Sequence, residues 1–291
     1  MQHKLFSCEH YFFFSLGSGS CGNCCYLGNS QYGILIDAGI GKRIIKKRLA
    51  EYGLDFSFIR AVLVTHDHLD HVKTVGYLGE KMHIPIYATH DVHRGIASNP
   101  YVRNKLTGSR QYIEKGVSFE VGGLRITPFD VPHDSVDSVG YFIEFGNGHT
   151  FVLATDVGTI TDELGGYIRR ANHVVIESNY DEEMLKNGSY PEFLKQRIAA
   201  TTGHLSNRET AEFLANNYQP HLKNIWLCHL SGDNNCPELA YRTTETHLAE
   251  KGIIVGKDVN LRVLERNKLS EISPLNPYFG SAQHSASGGL A

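Results

Sequence analysis

The sequence predicts an α/β protein from three observations. Short apolar runs rich in β-branched residues recur along the chain, and Ala61–Val64 is typical of a buried strand. Between such runs lie stretches with helical spacing, for example residues 42–52, where Ile44, Ile45 and Leu49 stand among Lys and Arg. Metal-binding side chains follow directly after several predicted strands. Because ligands of α/β proteins bind at the carboxyl ends of strands, these positions predict the active site.

The order of the predicted elements follows from these periodicities. Strands are predicted at 11–16, 32–37, 61–64, 84–88, 139–145, 150–154, 174–177 and 225–228, with a hairpin over 117–131. Helices are predicted at 42–52, 71–81 and 90–97, and from about residue 207. Residues 15–26 are rich in glycine and serine, which predicts either a hairpin turn or a loop that lines the site and cradles an anion.

The composition is that of an ordinary globular protein. The 291 residues, of which 41% are hydrophobic and 20% charged, suffice for a sizeable core. We expect one domain over residues 1–273 and a disordered Ser-, Gly- and Ala-rich tail over 274–291. The net charge of -3 provides no global basic field that would indicate a nucleic-acid ligand, although a local patch or bound metals could attract phosphate. The apolar run Tyr11–Phe14 is too short to cross a membrane, so no membrane partner is expected.

The cysteines indicate neither a disulfide framework nor a zinc ribbon. Cys21 and Cys24 form a single C-x-x-C pair, whereas a zinc ribbon needs a second pair at similar spacing. Small residues on a glycine-rich turn are the favoured interpretation, with a redox pair or metal clip as the alternative. A chain of this size without a disulfide scaffold indicates a reducing compartment, so we expect a cytoplasmic protein.

The stretch Thr65–His71 is the strongest functional signal in the chain. Three histidines and two aspartates fall within residues 66–71, directly after a predicted strand. A solvated turn would favour Gly, Asn, Asp, Ser or Pro over three histidines. Imidazole and carboxylate groups suit a borderline divalent metal such as zinc, and their density exceeds what one ion needs.

The same placement recurs later in the chain. His133 follows the predicted hairpin, Asp156 follows the strand at 150–154, and His229 follows the strand at 225–228. Any one of these residues alone would be explained as a polar residue at the end of a strand. Together with the segment 66–71, these residues make four strand ends in this order, which favours a shared metal site.

The order His-x-His-x-Asp-His, His, Asp, His resembles the metallo-β-lactamase superfamily. The resemblance implies a four-layer αβ/βα sandwich with the site at one edge of two packed sheets. It also implies two divalent ions, Zn²⁺ or Mn²⁺, and an aspartate, Asp37, that braces the metal loop. By resemblance, the first ion would be held by His66, His68 and His133, the second by Asp70, His71 and His229, and both by Asp156.

Further motifs narrow the resemblance to the YycJ/WalJ family. They are Ser15–Ser20, Gly22-Asn23, Leu35–Gly39, Glu177–Asp181, Gly203–Asn207 and His229–Ser231, and the likeness extends over residues 12–265. The family is described as bacterial metal-dependent 5′-to-3′ exodeoxyribonucleases, so the resemblance implies a DNA substrate. Two features depart from the family pattern: a cysteine-rich first loop, and Asp67 where Glu is more often expected. Neither affects an expected ligand.

Other groups are predicted to act beside the metals. Asp156 and the ions would hold the nucleophile, so Asp156 is also a catalytic candidate. His204 is the candidate general acid or phosphate ligand, and the alternative is an exposed histidine in a helix-cap region. The expected substrate-binding side chains, which offer donors to phosphate, are Ser18, Ser20, Asn23 and Ser206.

Rival functions of the same fold fit the sequence less well. A thioesterase of the glyoxalase II kind would use the same ligands and is the alternative retained, although it normally adds a helical domain and only residues 230–291 follow His229. A secreted β-lactamase would need an export signal. An RNA-processing member with a β-CASP insertion would need more residues than the segment 157–228 offers. The residues leave open the metal, the choice of DNA or RNA, the polarity of cleavage and the oligomeric state.

Overall fold

The computed structural model describes residues 10–275, whose strands form two seven-stranded sheets. In spatial order the N-terminal sheet contains β14 (Ser273–Pro274), β1 (Phe12–Gly17), β2 (Cys24–Gly28), β3 (Gly33–Ile36), β4 (Ile59–Leu63), β5 (Ile86–Ala88) and β6 (Arg110–Tyr112). The C-terminal sheet contains β13 (Asn260–Val263), β12 (Asn224–Cys228), β11 (His173–Glu177), β10 (Thr150–Ala154), β9 (Val139–Glu144), β8 (Leu124–Asp130) and β7 (Phe119–Val121). Each sheet therefore belongs almost entirely to one half of the chain.

Nine α-helices connect the described strands. They are α1 (Lys42–Glu51), α2 (Leu69–Val72), α3 (Val75–Met82), α4 (His90–Ser98), α5 (Asp162–Arg170), α6 (Glu182–Asn187), α7 (Glu192–Ile198), α8 (Asn207–Asn217) and α9 (Pro237–Glu250). None of these helices combines the length and the apolar character that a bilayer crossing requires.

Three apolar cores arrange these elements in four layers. Between the sheets, the ring of Phe13 lies 4.8 Å from that of Trp226 and 5.3 Å from that of Phe151, so the two sheets pack face to face. The outer face of the N-terminal sheet is covered by α1, α3 and α4, and that of the C-terminal sheet by α5, α8 and α9. The order helix, sheet, sheet, helix confirms the predicted αβ/βα sandwich.

Parallel pairing brings the carboxyl ends of the central strands to one edge. β4 is parallel to both β3 and β5, and β11 is parallel to both β10 and β12. The two sheets are joined at this edge, where His66 forms an antiparallel bridge with Ser138 and the backbone N–H of Val139 donates to the carbonyl of Thr65 at 3.0 Å. Residues that follow strands of different sheets therefore meet in one place.

Two sequence predictions need correction. The loop predicted over 15–26 contains the start of β2, in which Cys24 and Cys25 face different apolar cores. The helix predicted over 71–81 is divided into α2 and α3, because Thr74 bonds to the loop after β3 instead of continuing the helix. Its N–H donates to Ala38 at 2.9 Å and its hydroxyl donates to the carbonyl of Ile40 at 2.6 Å.

The C-terminal boundary differs slightly from the expected one. Pro274 pairs with Phe12 in the N-terminal sheet and Leu275 is buried, although both belong to the predicted tail. The remainder of that predicted tail, residues 276–291, lies outside the described residues.

Candidate metal centre

All seven expected ligands lie at the joined edge of the sheets. His66 follows β4, and the segment from His68 to His71 leads into and forms α2. The other three come from the C-terminal sheet, with His133 after β8, Asp156 after β10 and His229 directly after β12. The parallel order of the strands, together with the contact between the sheets, brings these distant residues together.

Three histidines form the first part of the cluster. Potential ligand atoms of His66, His68 and His133 lie within 4.8 Å of one another. Their ring centroids are separated by 4.7 Å, 4.9 Å and 5.1 Å. Three imidazoles at this spacing form a ligand set that zinc commonly has in proteins.

The second part of the cluster contains a carboxylate and two histidines, and a further aspartate lies between the two parts. Asp70, His71 and His229 again have potential ligand atoms within 4.8 Å of one another. Asp156 Oδ2 lies 3.3 Å from His71 Nε2, while Asp156 Oδ1 lies 3.7 Å from His133 Nε2. This position between the two groups is the one expected for a bridging carboxylate.

Asp37 contacts His71, which belongs to the second part of the cluster. Its Oδ2 accepts a hydrogen bond from His71 Nδ1 at 2.7 Å, and its Oδ1 accepts from the backbone N–H of Thr65 at 2.8 Å. This bond fixes the imidazole with Nε2 directed at the cluster. The adjacent Gly39 allows close contact here, since a Cβ at that position would lie 1.5 Å from the carbonyl oxygen of Asp70.

Glu177, which was not among the expected site residues, contacts another histidine of the second part, His229. The side chain is fully buried, and its Oε1 lies 2.8 Å from Nδ1 of both His229 and His204. Its Oε2 accepts from the backbone N–H groups of Val157 and Leu205. The signal was available, because Glu177 ends strand β11 as the other site residues follow their strands.

Three of the site residues adopt backbone conformations that non-glycine residues seldom take. The φ angles are 61° at Asp37, 54° at Asp156 and 54° at His229. Left-handed backbone costs about 1–3 kcal/mol at such a position and persists only where surrounding contacts fix it. Such outliers cluster at functional sites, which is consistent with the placement of all three.

Electrostatics divide the cluster into two environments. Burial lowers the pKa of His66 well below its usual value and also lowers that of His133, so both imidazoles are neutral at pH 7. For His229 burial acts in the same direction, but Asp156, Asp70 and Glu177 raise its pKa to about 10. A surplus of carboxylates therefore stabilises positive charge in the second half of the cluster.

The donors present fit divalent metal ions. The Nε2 atoms of His66, His133 and His229 are buried and have no hydrogen-bond partner among the described residues. Leaving a buried polar atom unpaired costs about 1–3 kcal/mol, so three such atoms directed at one cluster need a common partner. Imidazole nitrogens beside carboxylate oxygens are the donors of a borderline cation, which would also displace the proton held by His229.

His204 lies beside the cluster, as the functional interpretation requires. Its Nδ1 contacts Glu177 and lies 4.0 Å from Asp156 Oδ1, and its side chain is 20% exposed. Burial would lower its pKa, but the nearby Glu177 carboxylate raises it above the ordinary value. The exposed histidine of the alternative interpretation does not describe this environment, while its role in catalysis stays a prediction.

The four expected substrate-binding side chains differ in their surroundings. Ser20 lines a cavity of about 200 Å³ next to His68, Asp70 and His204. The hydroxyl of Ser18 accepts from the backbone N–H of His229 at 2.9 Å, and Asn23 Nδ2 lies 2.8 Å from His71 Nε2.

Ser206 is fully buried and caps α8 through a hydrogen bond from the N–H of Glu209. Ser18, Asn23 and Ser206 therefore support site residues or a helix, and a contact of theirs with substrate stays a prediction. Arg197, which the sequence analysis did not single out, lines the same cavity as Ser20 and donates to Asp134 at 2.6 Å.

The cysteines of the first loop are not among the potential metal ligands. Cys21, Cys24 and Cys25 are free thiols, and within residues 10–275 no cysteine belongs to a cluster of potential metal ligands. Cys21 lies in the turn before β2, as the favoured interpretation has it, whereas Cys24 and Cys25 are buried in the strand itself.

The four-layer sandwich and the cluster at its edge define a metal-dependent hydrolase of the metallo-β-lactamase fold. A family model described as "Beta-lactamase superfamily domain" matches residues 32–223, and the fold of this superfamily implies a divalent metal. The chain belongs to this superfamily and, within it, to the family of the WalJ and YycJ proteins.

Two relatives support the narrower assignment. "Exodeoxyribonuclease WalJ" of Streptococcus pneumoniae serotype 2 (strain D39 / NCTC 7466) is 36% identical over 243 residues, which cover 84% of this chain and 90% of the relative. "Exodeoxyribonuclease YycJ" of Bacillus anthracis is 35% identical over 242 residues, which cover 83% and 90%. The crystal structure of the metallo-β-lactamase fold protein YhfI from Bacillus subtilis is similar, with a TM-score of 0.64 over 91% of this chain and 99% of that chain. The two sequences are 16% identical, so this similarity concerns the fold alone.

Proposed function

We propose that the protein is a 5′-to-3′ exodeoxyribonuclease that hydrolyses phosphodiester bonds at a dinuclear metal centre. The observation that carries the metal chemistry is the position of Asp156 between two groups of potential ligands. The relatives named exodeoxyribonucleases, which match over most of their own length, support DNA as the substrate.

The proposed centre takes two divalent ions, Zn²⁺ or Mn²⁺. One would be held by His66, His68 and His133, the other by Asp70, His71 and His229, and Asp156 would bridge them. When bound, such a pair of ions supplies an activated water and neutralises charge on the phosphate oxygens. The buried Nε2 atoms without partners support this assignment.

His204 is the proposed proton donor to the leaving oxygen. It lines the cavity over the cluster, and the Glu177 carboxylate both orients its ring and favours its protonated form. A general acid must lie within reach of the reacting group and carry its proton at the working pH. Arg197 at the same cavity offers a second positive group to the phosphate.

The proposal includes cleavage from the 5′ end and a cytoplasmic location. Polarity from the 5′ end rests on the family resemblance. A cytoplasmic location is expected because a nuclease of this kind meets its DNA there. The net charge of -3 predicts modest non-specific affinity for DNA that falls with salt.

The substrate is tested with purified full-length protein and added Mn²⁺ or Zn²⁺. Linear duplex and single-stranded DNA labelled at either end, a closed circle, labelled RNA and S-lactoylglutathione are supplied in parallel. Progressive loss from the 5′ end of DNA with the circle spared is expected. Cutting of the circle would establish an endonuclease. Turnover of the thioester alone would instead assign the chain to the glyoxalase II kind.

A further inference from the structure

Two cavities extend the surface of the metal centre away from the reacting groups. The first, of about 540 Å³, is lined by His68, which also lines the cavity over the cluster. The second, of about 550 Å³, shares the side chains of Leu69, Pro100 and Tyr101 with the first. Each cavity therefore shares lining residues with the next, from the cavity over the metal centre outward.

Tyr101 stands where the two outer cavities meet. Its side chain is 70% exposed, although the next residue, Val102, is buried. The backbone N–H of Tyr101 donates to the side chain of Asn99 at 3.0 Å, so the backbone of this exposed aromatic residue is fixed. An exposed ring on an anchored backbone is suited to stack with a planar ligand.

Four cationic side chains line the two cavities that meet at Tyr101. Lys42, Lys73 and Arg103 line the second cavity, and Arg94 lines the first. Among the described residues, Asp67 is the sole acidic side chain lining either cavity, and its Oδ1 is buried. Arg94 contacts Asp91 at 3.3 Å in an exposed pair, but no described carboxylate lies within ion-pair distance of Lys73 or Arg103.

This surface differs from the chain as a whole, whose net charge is -3. A track of cations beside an exposed aromatic ring is the arrangement with which proteins bind single-stranded nucleic acid, because the cations meet phosphates and the ring stacks on a base. The track starts at His68, where the scissile phosphate would lie.

We propose that the two outer cavities bind the single DNA strand that continues from the reacting phosphodiester, with a base stacked on Tyr101 and phosphates on Lys73 and Arg103. This inference rests on the proposed function and names the part of the protein that holds a polymeric substrate. A dinucleotide reaches only the metal centre, whereas a longer strand also occupies the two outer cavities.

The test compares initial-rate kinetics of the metal-loaded wild type and variants on a thymidine dinucleotide and on a single strand of about 12 nucleotides. Tyr101→Ala should raise KM for the longer strand about 5- to 150-fold, which is the loss of one base stacked on an aromatic ring. The dinucleotide KM and kcat should not change. Tyr101→Phe, which retains the ring, should restore the wild-type KM for the longer strand.

A strand that begins with a normal nucleotide and continues with abasic ones separates stacking from charge. Tyr101→Ala should bind it as the wild type does, because no base remains to stack. The double variant Lys73→Gln/Arg103→Gln should weaken binding of both strands. It should also make the fall of log(kcat/KM) with log salt shallower by about 1.4, since each lost phosphate contact removes about 0.7.

The matched control is Lys251→Gln/Lys257→Gln, which removes the same charge from exposed positions remote from both cavities. It should leave KM and the salt dependence at their wild-type values. Equal effects of the two double variants would mean that net charge alone matters and would overturn the proposal that the two outer cavities bind the strand. So would a wild-type KM for the longer strand in Tyr101→Ala. Failure of the wild type to degrade any DNA would instead overturn the proposed function.

Discussion

The two halves of the molecule contribute to the metal centre in different ways. The N-terminal half supplies four expected ligands from one short segment, residues 66–71, at the end of β4. The C-terminal half supplies His133, Asp156 and His229 one at a time, after three different strands. A local motif therefore determines one side of the centre, and the order of strands in a sheet determines the other.

The bracing groups differ in the same way. Asp37 contacts one expected ligand, His71, together with Thr65 of the same loop. Glu177 contacts both His229 and His204, and so connects a proposed ligand to the proposed acid. The N-terminal half thus contributes expected ligands alone, and the C-terminal half contributes both expected ligands and the proposed acid.

The largest expected effect comes from removing the residue where the halves meet. Asp156→Ala should abolish activity and reduce metal content below two ions per chain, because this carboxylate lies against His71 on one side and His133 on the other. Metal analysis and turnover of the purified variant are the measurements. Asp67→Ala is the control, since the Asp67 carboxylate lies against Gly95 and belongs to none of the clusters of potential ligands. Two ions retained in Asp156→Ala would contradict the bridging role.

The next effect concerns catalysis without loss of metal. His204→Ala should lower kcat by about 10²–10⁴-fold, the range for a positioned acid, while the ion content stays at the wild-type value. It would then separate proton transfer from metal binding within the C-terminal half. Near wild-type turnover of the fully metallated variant would assign His204 a structural role only.

The bracing carboxylates provide a direct test of the comparison. Asp37→Asn and Glu177→Gln should each lower metal affinity by about 10–100-fold, as the loss of a partner of a ligand does. Glu177→Gln should in addition lower kcat at saturating metal, because His204 loses the group that orients it. Equilibrium dialysis gives the first quantity and turnover at saturating metal the second. An equal loss of kcat in both variants would remove the distinction between the halves.

The difference between the halves also explains what the sequence could predict. The segment 66–71 was recognisable because its ligands are adjacent, and the helix–sheet–sheet–helix architecture was implied by the family resemblance. Glu177 ends the predicted strand 174–177, a position that marked it as a candidate, but its contacts with His204 and His229 depend on β11 lying between β10 and β12. Arg197 reaches the cavity from α7, a helix that the sequence analysis did not predict.

A buried histidine also lies at the amino end of a strand, away from the cluster. In the C-terminal half His173 begins β11, fully buried beside Trp226, with its Nδ1 2.9 Å from Asn224 Nδ2. Burial and the nearby His149 lower its pKa from 6.5 to about 3. Below pH 6.5 His173 is protonated in the unfolded chain but stays neutral in the folded chain until the pH approaches 3. The stability contributed by neutral His173 is therefore lost as pH falls from 6.5 toward 3.

The smallest predicted effect is the loss of stability in acid that His173 causes. Between pH 6.5 and about pH 5 the wild type should lose about 2 kcal/mol of unfolding free energy through His173, since one pH unit of proton linkage corresponds to about 1.4 kcal/mol. Urea unfolding in chelator, which removes metal release as a contribution, measures the loss. His173→Gln should unfold with a shallower dependence on pH, even if it is less stable at pH 7. His90→Gln, at an exposed position, should keep the wild-type dependence. Identical pH profiles of the wild type and His173→Gln would show that this end of the C-terminal sheet is not a determinant of acid stability.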